Sequence, residues 1–124
     1  MSQRVLIVED QEDNRAILRD LLSSAGYDFI EATNGEEGVA LAESERPDLI
    51  LMDIQLPVMD GYEATRRIKA HAALRSIPSI AVTSYALSGD EAKAQGAGCD
   101  AYVAKPFSPR QLLAKIREYL LPGA

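Results

Sequence analysis

The chain has 124 residues, of which 47% are hydrophobic and 26% charged, and its formal net charge is −6. That length builds one domain whose core needs neither metal nor disulfide, within which no separate output module fits, and the patterned apolar segments exclude a disordered chain. The acidic balance disfavours nonspecific binding to nucleic acid or to an anionic membrane, both of which need a basic patch, and suits cation binding.

Val5 to Val8 is a continuous apolar run, as expected of a strand covered on both faces, and it ends on Glu9 and Asp10. Residues 13 to 25 then show helical spacing, with Ile17, Leu18, Leu21, Leu22 and Ala25 on one side and Gly26 as a stop. A short strand near Phe29 to Ala32 precedes a helix from Glu36 to Ser44, marked by Val39, Leu41 and Ala42. After Pro47 the strand Leu49 to Met52 ends on Asp53. The segment Gln55 to Gly61 contains Pro57 and an Asp-Gly pair, which predicts a structured loop before a helix from Tyr62 to Ala70. The strand Ile80 to Thr83 follows Pro78, and residues 88 to 98 form an Ala- and Gly-rich, weak helix. A last strand, Ala101 to Ala104, leads to Lys105, and the final helix has Pro109 in its first turn and Leu112, Leu113, Ile116 and Leu120 on its buried side.

Five strands alternating with five helices predict an α/β, flavodoxin-like doubly wound parallel sheet with strand order 2-1-3-4-5 and one domain over 1–124. In such a sheet the carboxyl ends of the strands share an edge where ligands bind. Glu9, Asp10, Asp53, Thr83 and Lys105 all follow or end strands at that edge. Converging carboxylates raise one another's pKa, and a bound Mg²⁺, which prefers oxygen ligands, relieves the repulsion; the Gln55 carbonyl is a candidate further ligand. Acids after the first strand, in place of a Gly/Ser/Thr-rich phosphate loop, argue against a flavin. Asp53 is the candidate nucleophile toward phosphorus, with Lys105 as a second cation and Thr83 as a hydroxyl donor. Each residue alone has a plainer reading, as surface lysine, strand-end cap or turn residue; the shared edge is what favours chemistry.

V-L-I-V-E-D, L-M-D-I-Q-L-P-V-M-D-G, A-V-T-S-Y-A and A-Y-V-A-K-P-F, in that order, resemble the receiver domains of two-component response regulators, the CheY-like proteins. The resemblance implies that Asp53 accepts a phosphoryl group from a phosphohistidine, that Glu9, Asp10, Asp53 and the Gln55 carbonyl bind Mg²⁺, and that Lys105 and Thr83 contact the phosphoryl group. It also implies that Thr83 and Tyr102 form a switch, Tyr102 having the alternative of an ordinary core or edge aromatic, and that the bond before Pro106 is cis. Ser84 departs from the usual Ala or Gly, and Tyr85, like Gln55, lies where the family tunes hydrolysis; a bulky Tyr85 predicts a phosphoryl lifetime longer than in Tyr85→Ala. The run T-S-Y-A-L-S-G-D resembles stand-alone receivers of the DivK kind and also occurs in receivers attached to hybrid kinases.

The expected function is a phosphorylation-dependent switch of a two-component or phosphorelay system rather than an enzyme turning over a small molecule. Its partners would be a histidine kinase or histidine phosphotransfer protein and a downstream protein target such as a kinase, with no DNA and no membrane. Lys93, Tyr102 and Gln111 are candidates for the partner surface, each with the alternative of a plain solvated face. The competing enzyme class is the haloacid-dehalogenase type, which needs an acid two residues after the nucleophile, where this chain has Gln55. A third class, an unphosphorylated scaffold, would leave the edge residues coincidental. His71 reads as a surface residue and Cys99 as a small buried hydrophobe. One cysteine allows no intrachain disulfide, the opening MSQRVLIVEDQ is too short in apolar residues for a signal peptide, and no run approaches the roughly 18 apolar residues of a membrane span, so a cytoplasmic location is expected.

Overall fold

The computed structural model describes residues 3–83, 90–105 and 108–120. Ser84, Tyr85 and Pro106, singled out above, lie outside them. The elements run β1 (Arg4–Val8), α1 (Glu12–Ser24), β2 (Asp28–Ala32), α2 (Gly35–Glu45), β3 (Leu49–Asp53), α3 (Gly61–Ala70), β4 (Ser79–Thr83), α4 (Asp90–Ala97), β5 (Ala101–Ala104) and α5 (Pro109–Arg117). All strand pairs are parallel and the order is β2-β1-β3-β4-β5.

Alternation along each strand explains why the apolar runs are continuous. Val5, Ile7, Leu49, Leu51, Ile80 and Val82 point to one face and pack with Leu18 and Leu22 of α1 and Leu112 and Ile116 of α5. Leu6, Val8, Ile50 and Met52 point to the other face, against Ala42 of α2 and Ala64 and Ile68 of α3. Both faces of the central strands are dry, so apart from Ser79 at the start of β4 their buried positions before the carboxyl edge are apolar.

Ile17 departs from the expected apolar side of α1: it is 52% exposed, whereas Leu18 and Leu22 are buried. Adjacent helix residues point about 100° apart, so with Leu18 aimed at the sheet Ile17 is turned to the flank. Helix α4 is short and buries only Ala94 and Ala97 among its described side chains, in keeping with its weak composition.

Caps set where the helices begin. Asn34 accepts from Glu37 N–H and Asp60 accepts from Glu63 N–H. Ser108 and Gln111 form a reciprocal capping box on α5, with Pro109 at its first position. The Asp-Gly pair is therefore more than a turn: Asp60 starts α3, and Gly61 packs so closely that a Cβ there would lie 2.2 Å from the Asp53 carbonyl oxygen.

Candidate phosphoryl-acceptor site

Strand register brings the polar strand ends together. Val8 pairs with Met52, so Glu9 arrives beside Asp53; Thr83 pairs with Ala104, so Lys105 emerges next to both. Asp53 and Thr83 are the last residues of fully buried strands, at 5% and 1% exposure. Lys105 N–H donates to the Thr83 carbonyl at 2.6 Å, which fixes where the lysine side chain starts.

Lys105 Nζ then donates to Glu9 Oε1 at 2.7 Å and to Asp53 Oδ2 at 3.4 Å. Gln55 N–H donates to Asp53 Oδ1 at 3.1 Å, and Gln11 N–H donates to Glu9 Oε2 at 3.1 Å. One carboxylate oxygen from each of Glu9, Asp10 and Asp53 lies within 4.8 Å of the other two. Asp10 is the most open of the three and Glu9 the deepest, at 2% exposure.

One ammonium does not balance three carboxylates. Burial pushes Asp53 up to about 7, reinforced by the hydrogen bond and negative charge of Glu9 and opposed by Lys105. Glu9 is also penalised by burial, but hydrogen bonds from Lys105, Asp53 and Gln11 outweigh that and hold it below the ordinary value. Burial works against the charge on Lys105 as well, yet its contacts with the two acids raise its pKa. Glu9 and Asp53 share one site and their titrations are linked, Glu9 held low and Asp53 raised. A hard divalent cation answers this donor set: oxygen ligands only, an excess of negative charge, and an open side at Asp10 for retained water.

The family model for the response regulator receiver domain matches residues 5–117. This chain is a receiver domain. Along 97% of its length the receiver is 48% identical to the polar-differentiation response regulator DivK of Brucella anthropi, covering 98% of that protein, and it is 46% identical to DivK of Brucella ovis over the same share. Among solved structures it superposes on the receiver domain of a sensor histidine kinase from Pseudomonas aeruginosa with a TM-score of 0.89 and 40% identity, covering 96% of this chain and 98% of that one. That crystal structure is described as having a magnesium ion coordinated in its active-site cleft. A response regulator from Chloroflexus aurantiacus gives a TM-score of 0.92 at 28% identity, over 96% and 98% of the two chains. The receiver is thus a two-component signalling protein similar to DivK, and the flavodoxin-like order expected from the sequence is the one observed.

The structure also places other positions singled out in the sequence. His71 is exposed past the end of α3, and Cys99 is buried beside Thr65 Oγ1 at 3.8 Å. Gln55 is exposed and is tied to the nucleophile candidate only through its N–H, so its side chain offers no proton-donating acid. Tyr102 is half-buried on β5, and Lys93 and Gln111 are exposed, with the Gln111 side chain committed to the α5 capping box. Sequence reading missed Gly61 as a site residue; the small residue directly after the cap Asp60 was its only signal. Among the described residues no helix is long and apolar enough to cross a membrane.

Proposed function

We propose that Asp53 is the phosphoryl acceptor and that its phosphorylation switches the binding of a protein partner. The observation that carries this is a single buried carboxylate at the end of β3, faced by a lysine ammonium and by two further acids. Asp10 and Asp53, with Glu9 and the Gln55 carbonyl, would hold Mg²⁺. When bound, the cation would supply positive charge to the phosphoryl oxygens and to the attacking carboxylate. An Asp53 carboxylate oxygen attacks the phosphorus of a phosphohistidine; the P–N bond breaks and the imidazole nitrogen leaves with the electron pair. Lys105 offers an ammonium to the transferred group, which otherwise adds negative charge to an acidic pocket. Thr83 would donate its hydroxyl to a phosphoryl oxygen and, with Tyr102, report the modification to the surface. In this reading the whole chain, 1–124, is one cytoplasmic receiver.

The donor is a histidine kinase or histidine phosphotransfer protein and the output is protein binding, with neither DNA nor membrane involved. Likeness to the response regulator DivK over 97% of the chain supports a signalling partner downstream. Intact-protein mass after incubation with acetyl phosphate tests the chemistry, with and without Mg²⁺, for wild type and Asp53→Asn. A single phosphoryl adduct requiring both Mg²⁺ and Asp53 is expected. An adduct that persists in Asp53→Asn would overturn the assignment, as would no adduct from either acetyl phosphate or a phosphorylated histidine kinase after short quenched incubations.

A further inference from the structure

Glu9 and Asp10 share the turn between β1 and α1, and besides the Gln11 N–H contact to Glu9 Oε2 its main chain is held at three points. Glu9 N–H donates to the Ala32 carbonyl at 3.0 Å and Arg15 N–H to the Gln11 carbonyl at 3.0 Å. The third is a side-chain clamp, in which Arg15 Nη1 donates to the Glu9 carbonyl at 2.9 Å. That carbonyl belongs to the peptide unit joining Glu9 to Asp10. Because the unit is planar, fixing its oxygen fixes the direction in which both residues leave it.

Arg15 is itself held in place. Its side chain is 13% exposed, with Nη2 2.6 Å from Glu12 Oε2 and Nε 3.3 Å from Glu31 Oε1. Arg19 bridges the same two acids at 2.7 Å each. Four side chains thus close a ring of alternating charge that ties α1 to β2. Any one exposed ion pair contributes little, but the ring confines the planar guanidinium to one orientation, with Nη1 aimed at the Glu9 carbonyl.

We infer that Arg15 is a positioning residue for the Glu9–Asp10 pair, holding their common peptide so that both carboxylates face the cation site. The inference rests on the proposed Mg²⁺ site. A role through charge alone has the opposite sign: a guanidinium beside the acids repels a divalent cation, so its removal would tighten Mg²⁺ binding. Loss of positioning weakens it.

Calorimetric titration of the full chain with Mg²⁺ separates the two. Outer-shell partners of metal ligands typically carry 10–100-fold in affinity, so Arg15→Met is expected to bind Mg²⁺ about tenfold more weakly. Arg15→Lys keeps the charge without the fork and stays weakened. Glu31→Gln opens the ring without touching the turn and shows a smaller loss in the same direction. In the absence of metal, Arg15→Met speeds hydrogen exchange at the Gln11 amide relative to the β1 amides. Phosphorylation from acetyl phosphate then needs about tenfold more Mg²⁺ for half its maximal rate, following the lost affinity, while the rate at saturating Mg²⁺ stays near wild type. Mg²⁺ affinity in Arg15→Met equal to or tighter than wild type overturns the inference; should that variant unfold, Arg15→Lys and Glu31→Gln decide by the same criterion. A wild-type chain that binds no Mg²⁺ overturns the underlying site reading instead.

Discussion

Replacing Asp53 by asparagine is expected to make the metal-free protein more stable, with a gain that depends on pH. A rise in the Asp53 pKa from 3.8 to about 7 means that the folded protein binds more protons than the unfolded chain between those values. Stability therefore falls as pH rises through that window, and above 7 the whole cost of the crowded carboxylate is present. At about 1.36 kcal/mol per pH unit the ceiling is about 4 kcal/mol. Glu9 shifts in the opposite direction, and Lys105 loses a charged partner in the variant, so we expect about half the ceiling, ~2 kcal/mol, at pH 8 in chelator. For a chain of this size that is a Tm increase of about 8 °C. At pH 5 the folded Asp53 is protonated while the unfolded one is already mostly ionised, so over a third of that cost remains and the gain is expected to shrink to about 1 kcal/mol. Thermal and urea unfolding at both pH values measure this. A gain of equal size at pH 5 and pH 8, or a variant less stable than wild type at pH 8, would refute the reasoning that burial and Glu9 destabilise the ionised form.

Lys105→Met removes the only ammonium facing Glu9 and Asp53 among the described residues and leaves two buried acids uncompensated, at an expected cost of about 3 kcal/mol at pH 8. Urea unfolding checks it, and lowering the pH to 5 should recover part of the loss as Asp53 takes up its proton. Gly61→Ala forces a Cβ to 2.2 Å from the Asp53 carbonyl oxygen and 2.8 Å from Ile54 Cα; both are backbone, so the same unfolding assay should read a loss of about 3 kcal/mol. Gly96→Ala in α4 meets nothing within 4 Å, and a gain of about 0.5–1 kcal/mol in unfolding free energy is expected there. Val58 holds φ at 70° while 77% exposed, a conformation costly for a β-branched side chain. Val58→Gly should raise the urea midpoint, with relief of strain exceeding the added chain entropy by about 0.5 kcal/mol.

The sheet and its polar edge were legible in the sequence because both follow from local rules. A strand buried on both faces must be apolar throughout, so the first polar residue after each run marks the carboxyl edge, and Glu9, Asp10, Asp53, Thr83 and Lys105 are those residues. Which helix face is buried was less legible. In α1 the apolar set includes Ile17, and only docking on the sheet shows that Leu18 and Leu22 aim inward while Ile17 does not. Spacing alone cannot resolve a rotation of one residue.

What the sequence determined by itself was the alternation of elements, the family, and which residue types gather at one end of the sheet. Tertiary structure alone decided how they meet: that Lys105 takes Glu9 at 2.7 Å in preference to Asp53 at 3.4 Å, that burial and the neighbouring Glu9 raise the Asp53 pKa, and that Arg15 reaches the Glu9 carbonyl. Those outcomes depend on differences of less than 1 Å and on burial, because the interaction between charges changes steeply with separation and with the surrounding dielectric. Neither quantity is encoded in any local stretch of chain; both arise only when residues 96 and 52 positions apart are packed against one another.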